Sequence, residues 1–138
     1  MALDESVAGN LAAQHVSDHN ALHVRYNDGG WAAWTSVTGG VGFQNSWVDW
    51  GSLQIAQYRK HIDGMIQVRG VVKSGTSGSV IFTLPTGYRP PLILMFASLD
   101  GGNADVQTTV TNGGAVTAAA ANNAVYTLDM LFDSTGGS

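Results

Sequence analysis

The sequence contains no cysteine, which excludes disulfides and thiolate metal sites. Charge is scarce as well: Asp, Glu, Lys and Arg make up 12% of the chain, against a usual share of about 25%. A monomer normally carries more surface charge, so part of this surface is expected to lie against neighbouring subunits. Only six residues are Lys or Arg, they are dispersed, and the net charge is −4. Phosphate recognition needs clustered cations, so nucleic acid is not an expected partner. The longest apolar run, Pro91-Leu-Ile-Leu-Met-Phe-Ala97, is seven residues, far below the roughly 20 of a spanning helix, and a membrane is not expected either. The opening Met1-Ala-Leu-Asp-Glu-Ser6 lacks the basic-then-apolar pattern of a signal peptide, so ordinary secretion is not expected.

What is present fits one folded domain. A chain of 138 residues with 44% hydrophobic content can bury a core without covalent staples. The 18 glycines fall mostly between β-branched runs, which is the punctuation of an all-β protein. The spacing divides the chain into a segment over 1–30, comprising an arm and one short α-helix, and a β knob over 31–138. Leu11, His15, His19, Leu22 and Tyr26 recur at steps of three and four, which places them on one face of a helix over 10–27. Asn10 or Ser17 would cap its start, and Asp28-Gly-Gly30 would end it.

Beyond Gly30 the period changes to two. Strands are predicted over 31–37, 43–50, 55–61, 64–73, 79–84, 92–99, 104–111, 114–119 and 124–132. Asp63-Gly64 and Asn112-Gly113 read as tight hairpins; Gly75-Thr-Ser-Gly78 and Asp100-Gly-Gly-Asn103 read as further turns. The fold class is therefore mainly β, an antiparallel sandwich of jelly-roll type. The Ala-, Gly-, Thr- and Asn-rich stretch over 113–125 is expected near a subunit boundary, and residues 134–138 as a solvated tail.

Three blocks carry a family resemblance. They are Phe43-Gln-Asn-Ser-Trp-Val-Asp-Trp-Gly51, the stretch from Gln57 to Pro91 with its Tyr58-Arg-Lys60, Val68-Arg-Gly-Val-Val72 and Leu84-Pro-Thr-Gly-Tyr-Arg-Pro90 elements, and Asp18-His-Asn-Ala-Leu-His23. Together they cover about half of the chain, and they resemble a fibre-type β-sandwich domain of phage virion proteins, notably in actinobacterial phages. The resemblance implies a homotrimer on the outside of a virion. Long repeat shafts, usual in tail fibres, are absent from this sequence. That economy favours a head decoration protein bound to the major capsid protein. The alternative is the knob of a tail fibre or minor tail protein that recognises a host cell-surface glycan.

Candidate site residues follow from the same patterns. Leu3, Val7 and Leu11 dot the arm with apolar side chains and are expected to contact the capsid. His15, His19 and His23 are spaced i, i+4, i+8, and an i, i+4 pair can share a metal. The stripe is instead assigned to trimer or helix packing, through His15, His19, Leu22 and Tyr26, and neither metal nor cofactor is expected. Trp31, Trp34, Trp47 and Trp50 fall within twenty residues. Exposed indoles would suit glycan stacking, with Trp31 and Trp34 as the contacts, but core or interface packing is the favoured role, above all for Trp47 and Trp50. The aspartates Asp49, Asp63, Asp100, Asp105, Asp129 and Asp133 sit mostly in turn contexts, and no spacing among them suggests paired catalytic carboxylates. An enzyme is not expected.

Overall fold

The computed structural model describes residues 29–138. The arm, the helix over 10–27 and the residues assigned to them (Leu3, Val7, Leu11, His15, His19, Leu22 and Tyr26) lie outside the described residues. Nine strands follow in order: β1 (Thr35–Ser36), β2 (Val48–Asp49), β3 (Gln57–Lys60), β4 (Met65–Lys73), β5 (Val80–Thr83), β6 (Leu94–Leu99), β7 (Asp105–Val110), β8 (Ala115–Ala118) and β9 (Tyr126–Asp133). Each falls within or one residue beyond a predicted strand. The protein is mainly β, with two antiparallel sheets.

The first sheet is built around β4. One edge of β4 pairs with β3, which pairs in turn with β1. β2 lies further along that same edge, at Val48↔Lys73 and Asp49↔Val72, and the other edge of β4 takes β9 from Met65↔Asp133 to Val72↔Tyr126. The second sheet runs β5-β8-β7-β6. Period-two alternation sends Ile66, Val68 and Val72 of β4, and Tyr126, Leu128, Met130 and Phe132 of β9, into a core that they share with Phe82, Val110 and Val116 of the second sheet. A bulge between Val80 and Phe82 in β5 lets two consecutive side chains, Ile81 and Phe82, both be fully buried.

Gly70 continues the inward parity of β4 but carries no side chain, and its φ is +129°. A Cβ there would lie 2.5 Å from the Ala56 Cα, so only a glycine lets the segment before β3 approach β4 this closely. The Val71 N–H donates to the Gln54 carbonyl (2.9 Å) and holds that segment along the edge of β4.

The turns differ from the predicted tight hairpins in a uniform way. Three hairpins carry three-residue loops, not two-residue ones: 62–64, 101–103 and 112–114. In each, the loop's last residue is left-handed, namely Gly64 (φ +101°), Asn103 (φ +60°) and Gly114 (φ +88°). The bonds repeat as well, with His61 N–H to Met65 O, Asp100 N–H to Ala104 O and Thr111 N–H to Ala115 O at 2.7, 3.2 and 3.0 Å. This is a type I turn followed by a left-handed residue, the favoured three-residue solution. In the Asn112-Gly113-Gly114 loop the left-handed position therefore falls on the second glycine.

Two further expectations are corrected. Residues 75–78 are not a hairpin turn, because β4 and β5 belong to different sheets and the segment crosses between them. There the Trp47 ring lies directly on Gly75, where any Cβ would overlap the indole. The Trp47 Nε1–H donates to Ser79 Oγ (3.0 Å), and the ring meets Tyr126 edge-on at 5.7 Å. Residues 134–138 are not a solvated tail. Ser134 is buried and donates from both its N–H and its Oγ to the Gly64 carbonyl, and the Ser138 carbonyl accepts the Gly87 N–H. The Leu84–Pro90 element is a turn held by Arg89 Nε donating to Leu84 O (2.9 Å) and by Lys60 Nζ donating to Gly87 O (2.7 Å).

A buried polar chain ties the second sheet to β9. Ser98 and Thr108 share a hydroxyl bond (2.6 Å), Thr108 donates to the Tyr126 hydroxyl (3.1 Å), and that hydroxyl donates to Gln107 O (2.6 Å) while accepting the Ala119 N–H. At the same corner Asp100 accepts three backbone N–H bonds, from Gly102, Ala104 and Asn122.

Trp47→Ala is expected to cost about 3–5 kcal/mol through lost burial and a cavity. Gly75→Ala is expected to cost about 1–3 kcal/mol through overpacking. In the double variant the cost falls below the sum, because truncating the ring frees the space that the new methyl needs. Urea unfolding of the four proteins checks this, and strict additivity would refute the contact.

Asp100 supplies a pH test. Its N–H bonds, that from Asn122 foremost, hold its carboxyl below the ordinary carboxylate pKa. A depressed folded-state pKa contributes stability above the unfolded value, near 4, and that contribution is lost as pH falls through the folded one. Asp100→Asn should thus lower the melting temperature at pH 7 and shrink the difference from wild type as pH falls below about 4. Thermal melts over that range check it.

Candidate binding face

The outward face of the first sheet gathers side chains that the alternation excludes from the core. The tripeptide Gln57-Tyr58-Arg59 on β3 and the tripeptide Gln67-Val68-Arg69 on β4 repeat a Gln-x-Arg pattern. Their antiparallel register sets Gln57 opposite Arg69 and Arg59 opposite Gln67. Each arginine then donates from Nε to the glutamine across from it, at 3.0 Å for Arg69 and 2.9 Å for Arg59. Those bonds fix the side chains at their Nε ends and orient the guanidinium planes.

The indoles complete the arrangement. Arg59 Cζ lies 4.4 Å from the Trp31 ring centre and 4.3 Å from that of Trp34, and Arg69 Cζ lies 3.8 Å from Trp34. The result is a row of alternating aromatic and cation, Trp31, Arg59, Trp34 and Arg69. Cation–π contacts of this kind contribute about 0.5–1 kcal/mol each at exposed sites. His61 stands at the end of the row. Its ring meets Trp31 edge-on at 4.9 Å, and its Nε2–H donates to Gly29 O (2.7 Å). Beside it, the Met65 N–H and His61 hold the Asp63 carboxyl below its ordinary pKa.

Beyond Arg69 the face opens into a groove of about 520 Å³, walled by the 53–55 segment and floored by β4 and β9, with Gln54, Thr127 and Asp129 on its lining. Its lining joins one guanidinium, that of Arg69, with one carboxylate, that of Asp129.

A second surface lies on the other sheet. β6 is an end strand. Leu92, Ile93, Met95 and Leu99, on it or just before it, are 70%, 59%, 66% and 45% exposed.

Trp31 and Trp34, singled out by sequence as glycan contacts, are thus brought together, but half-buried and with guanidiniums against their rings. They are neither core residues nor bare stacking platforms. Trp47 is 1% exposed, as expected of a core residue, whereas Trp50 is 44% exposed, which corrects its assignment to tight packing. The aspartates also depart from the turn pattern. Asp49, Asp105, Asp129 and Asp133 lie in strands. Asp49 accepts the Ala56 N–H (2.7 Å) and so tethers the segment before β3 to β2. Sequence reasoning missed Arg59, Arg69, Gln57 and Gln67, and weighed Asp129 only as a turn or catalytic carboxylate. The signal was there in the paired Gln-x-Arg tripeptides, placed symmetrically about the Asp63 turn. No protein-family model, curated protein or solved structure matches this chain.

Proposed function

We propose that this chain is a structural protein of a phage virion, a homotrimeric β-sandwich knob that decorates the capsid exterior. The two sheets and their common core support the sandwich, and the sequence blocks described above support the virion setting. The observation that carries the assembly is the apolar surface at β6, an end strand whose C-terminal end already meets β9 through the Asp100–Tyr126 bridge and the Leu99 N–H bond to Thr127 Oγ1. Contiguous exposed apolar strips mark contact surfaces. β6, Leu94-Met-Phe-Ala-Ser-Leu99, has no charged residue, and Leu92, Ile93 and Met95 form an exposed apolar strip along it. Covering that strip with a neighbouring subunit accounts for the low overall charge of the chain. The mechanism is area burial: knobs associate around a threefold axis, and the arm, through Leu3, Val7 and Leu11, docks on the major capsid protein.

Sedimentation equilibrium at micromolar concentration should give a trimer, and Ile93→Lys with Met95→Lys should give a folded monomer. A monomeric wild-type protein would remove the support for this assembly.

Deleting residues 1–9 should leave a folded knob that no longer occupies the particle, because side chains from Val37 to Phe132 form a buried core among themselves. Truncated protein is added to particles lacking the endogenous copy, and retention is measured after sedimentation. Unchanged occupancy would assign attachment to the knob.

A further inference from the structure

The trimer strip does not involve the outward face of the first sheet, and that face has the features of a ligand site. Arg69 is exposed, yet its side chain is fixed: Nε is bonded to Gln57, and the guanidinium lies 3.8 Å from the Trp34 ring centre. Among the described residues no hydrogen bond takes up either of its Nη groups. Asp129 is its direct partner across the β4–β9 ladder and is exposed on the same face. Opposite charges so placed ordinarily meet. Here Arg69 lies against Gln57 and Trp34 on its β3 side, makes no ion pair with Asp129, and the groove lies beside the two. A pre-oriented guanidinium and a carboxylate with no partner among the described residues therefore line one open groove side by side.

The geometry points to this groove as a binding site for a carboxylate-bearing saccharide, such as a uronic acid unit of an acidic polysaccharide. A fixed guanidinium presents two parallel N–H donors, which match a planar carboxylate. Asp129 offers only acceptors, which suits sugar hydroxyls and repels a densely charged polyanion. Gln54 and Thr127 add groups that both donate and accept. Leu53, 90% exposed at the rim, gives the C–H face of a sugar ring an apolar surface. The groove's volume of about 520 Å³ falls in the range of small-ligand sites, about 300–1,000 Å³. Trp34 contributes by holding the guanidinium, not by stacking on the sugar. The site rests on this face alone and does not depend on the trimer or on the virion role.

The test is an NMR titration of the full chain with glucuronate, with glucose and inorganic phosphate as counter-probes. Glucuronate should give saturable shifts at the Gly70 amide, the Arg69 Nε–H and the Trp34 indole N–H. Glucose and phosphate should bind at least about tenfold more weakly, since each lacks half of the match. Arg69→Gln should weaken glucuronate binding by about ten- to a hundredfold. Arg69→Lys, which keeps the charge without the fork, should fall between. Asp129→Asn should weaken glucuronate and strengthen phosphate. Equal binding of phosphate would reduce the site to a general anion contact, and equal binding of glucose would reduce it to a neutral-sugar contact. Either outcome overturns the proposal, as would wild-type affinity in Arg69→Gln or the absence of saturable shifts with glucuronate at its highest soluble concentration.

Discussion

The placement of Trp47 against Gly75 is the contact on which the two-sheet arrangement depends. The indole comes from the loop before β2, in the first sheet; the glycine begins the segment that leaves β4 for β5, in the second. The ring fills the place of a side chain at position 75, so the crossover can lie flat on it. Its polar end is bonded to Ser79 and its edge meets Tyr126. From Tyr126 the constraint passes through a buried hydroxyl chain to Thr108 and Ser98. Large aromatic burial and a satisfied polar network thus meet at one residue pair. A fully satisfied network of this kind specifies one packing over its alternatives.

The strands were legible because one face of each is buried, and burial imposes a period of two that sequence displays directly. Val68 and Val72, or Leu128 and Met130, could hardly be placed otherwise. The connections were less legible. Gly75-Thr-Ser-Gly78 has the composition of a hairpin, but composition does not say whether the next strand stays in the same sheet. That depends on Trp47, some thirty residues earlier in sequence. Likewise Asn112-Gly113 suggests a two-residue turn, while a third loop residue, Gly114, takes the left-handed position. Local propensity names a turn, and strand register decides its length.

The binding face was legible only in part. Four tryptophans within twenty residues draw attention as aromatics, and a single-residue view offers them two fates, core or platform. Trp31 and Trp34 take a third, as supports for cations. That role needs Arg59 and Arg69 to arrive on the same side of the sheet, which is a property of the β3–β4 register and not of any one residue. The guanidinium planes are weakly hydrated and pack on aromatic faces at modest desolvation cost. The groove beside Arg69 depends in turn on Gly70, since the segment that forms its wall approaches β4 closely only where no side chain intervenes.

The central strand β4 carries a consequence for how the molecule comes into being. It shares eight paired positions with β9, which lies some sixty residues further along the chain, and far fewer with its sequence neighbours. During synthesis, β3 and β4 can meet as soon as they leave the ribosome, but one edge of β4 and the floor of the core stay open until β9 has been made. Over that interval the nascent chain exposes an unpaired edge and a half-covered row of Ile66, Val68 and Val72, the kind of surface that chaperones bind and that other nascent copies can capture. A chain that forms its most extensive pairing last completes its native state late, and the longer that edge waits the more it is exposed to capture.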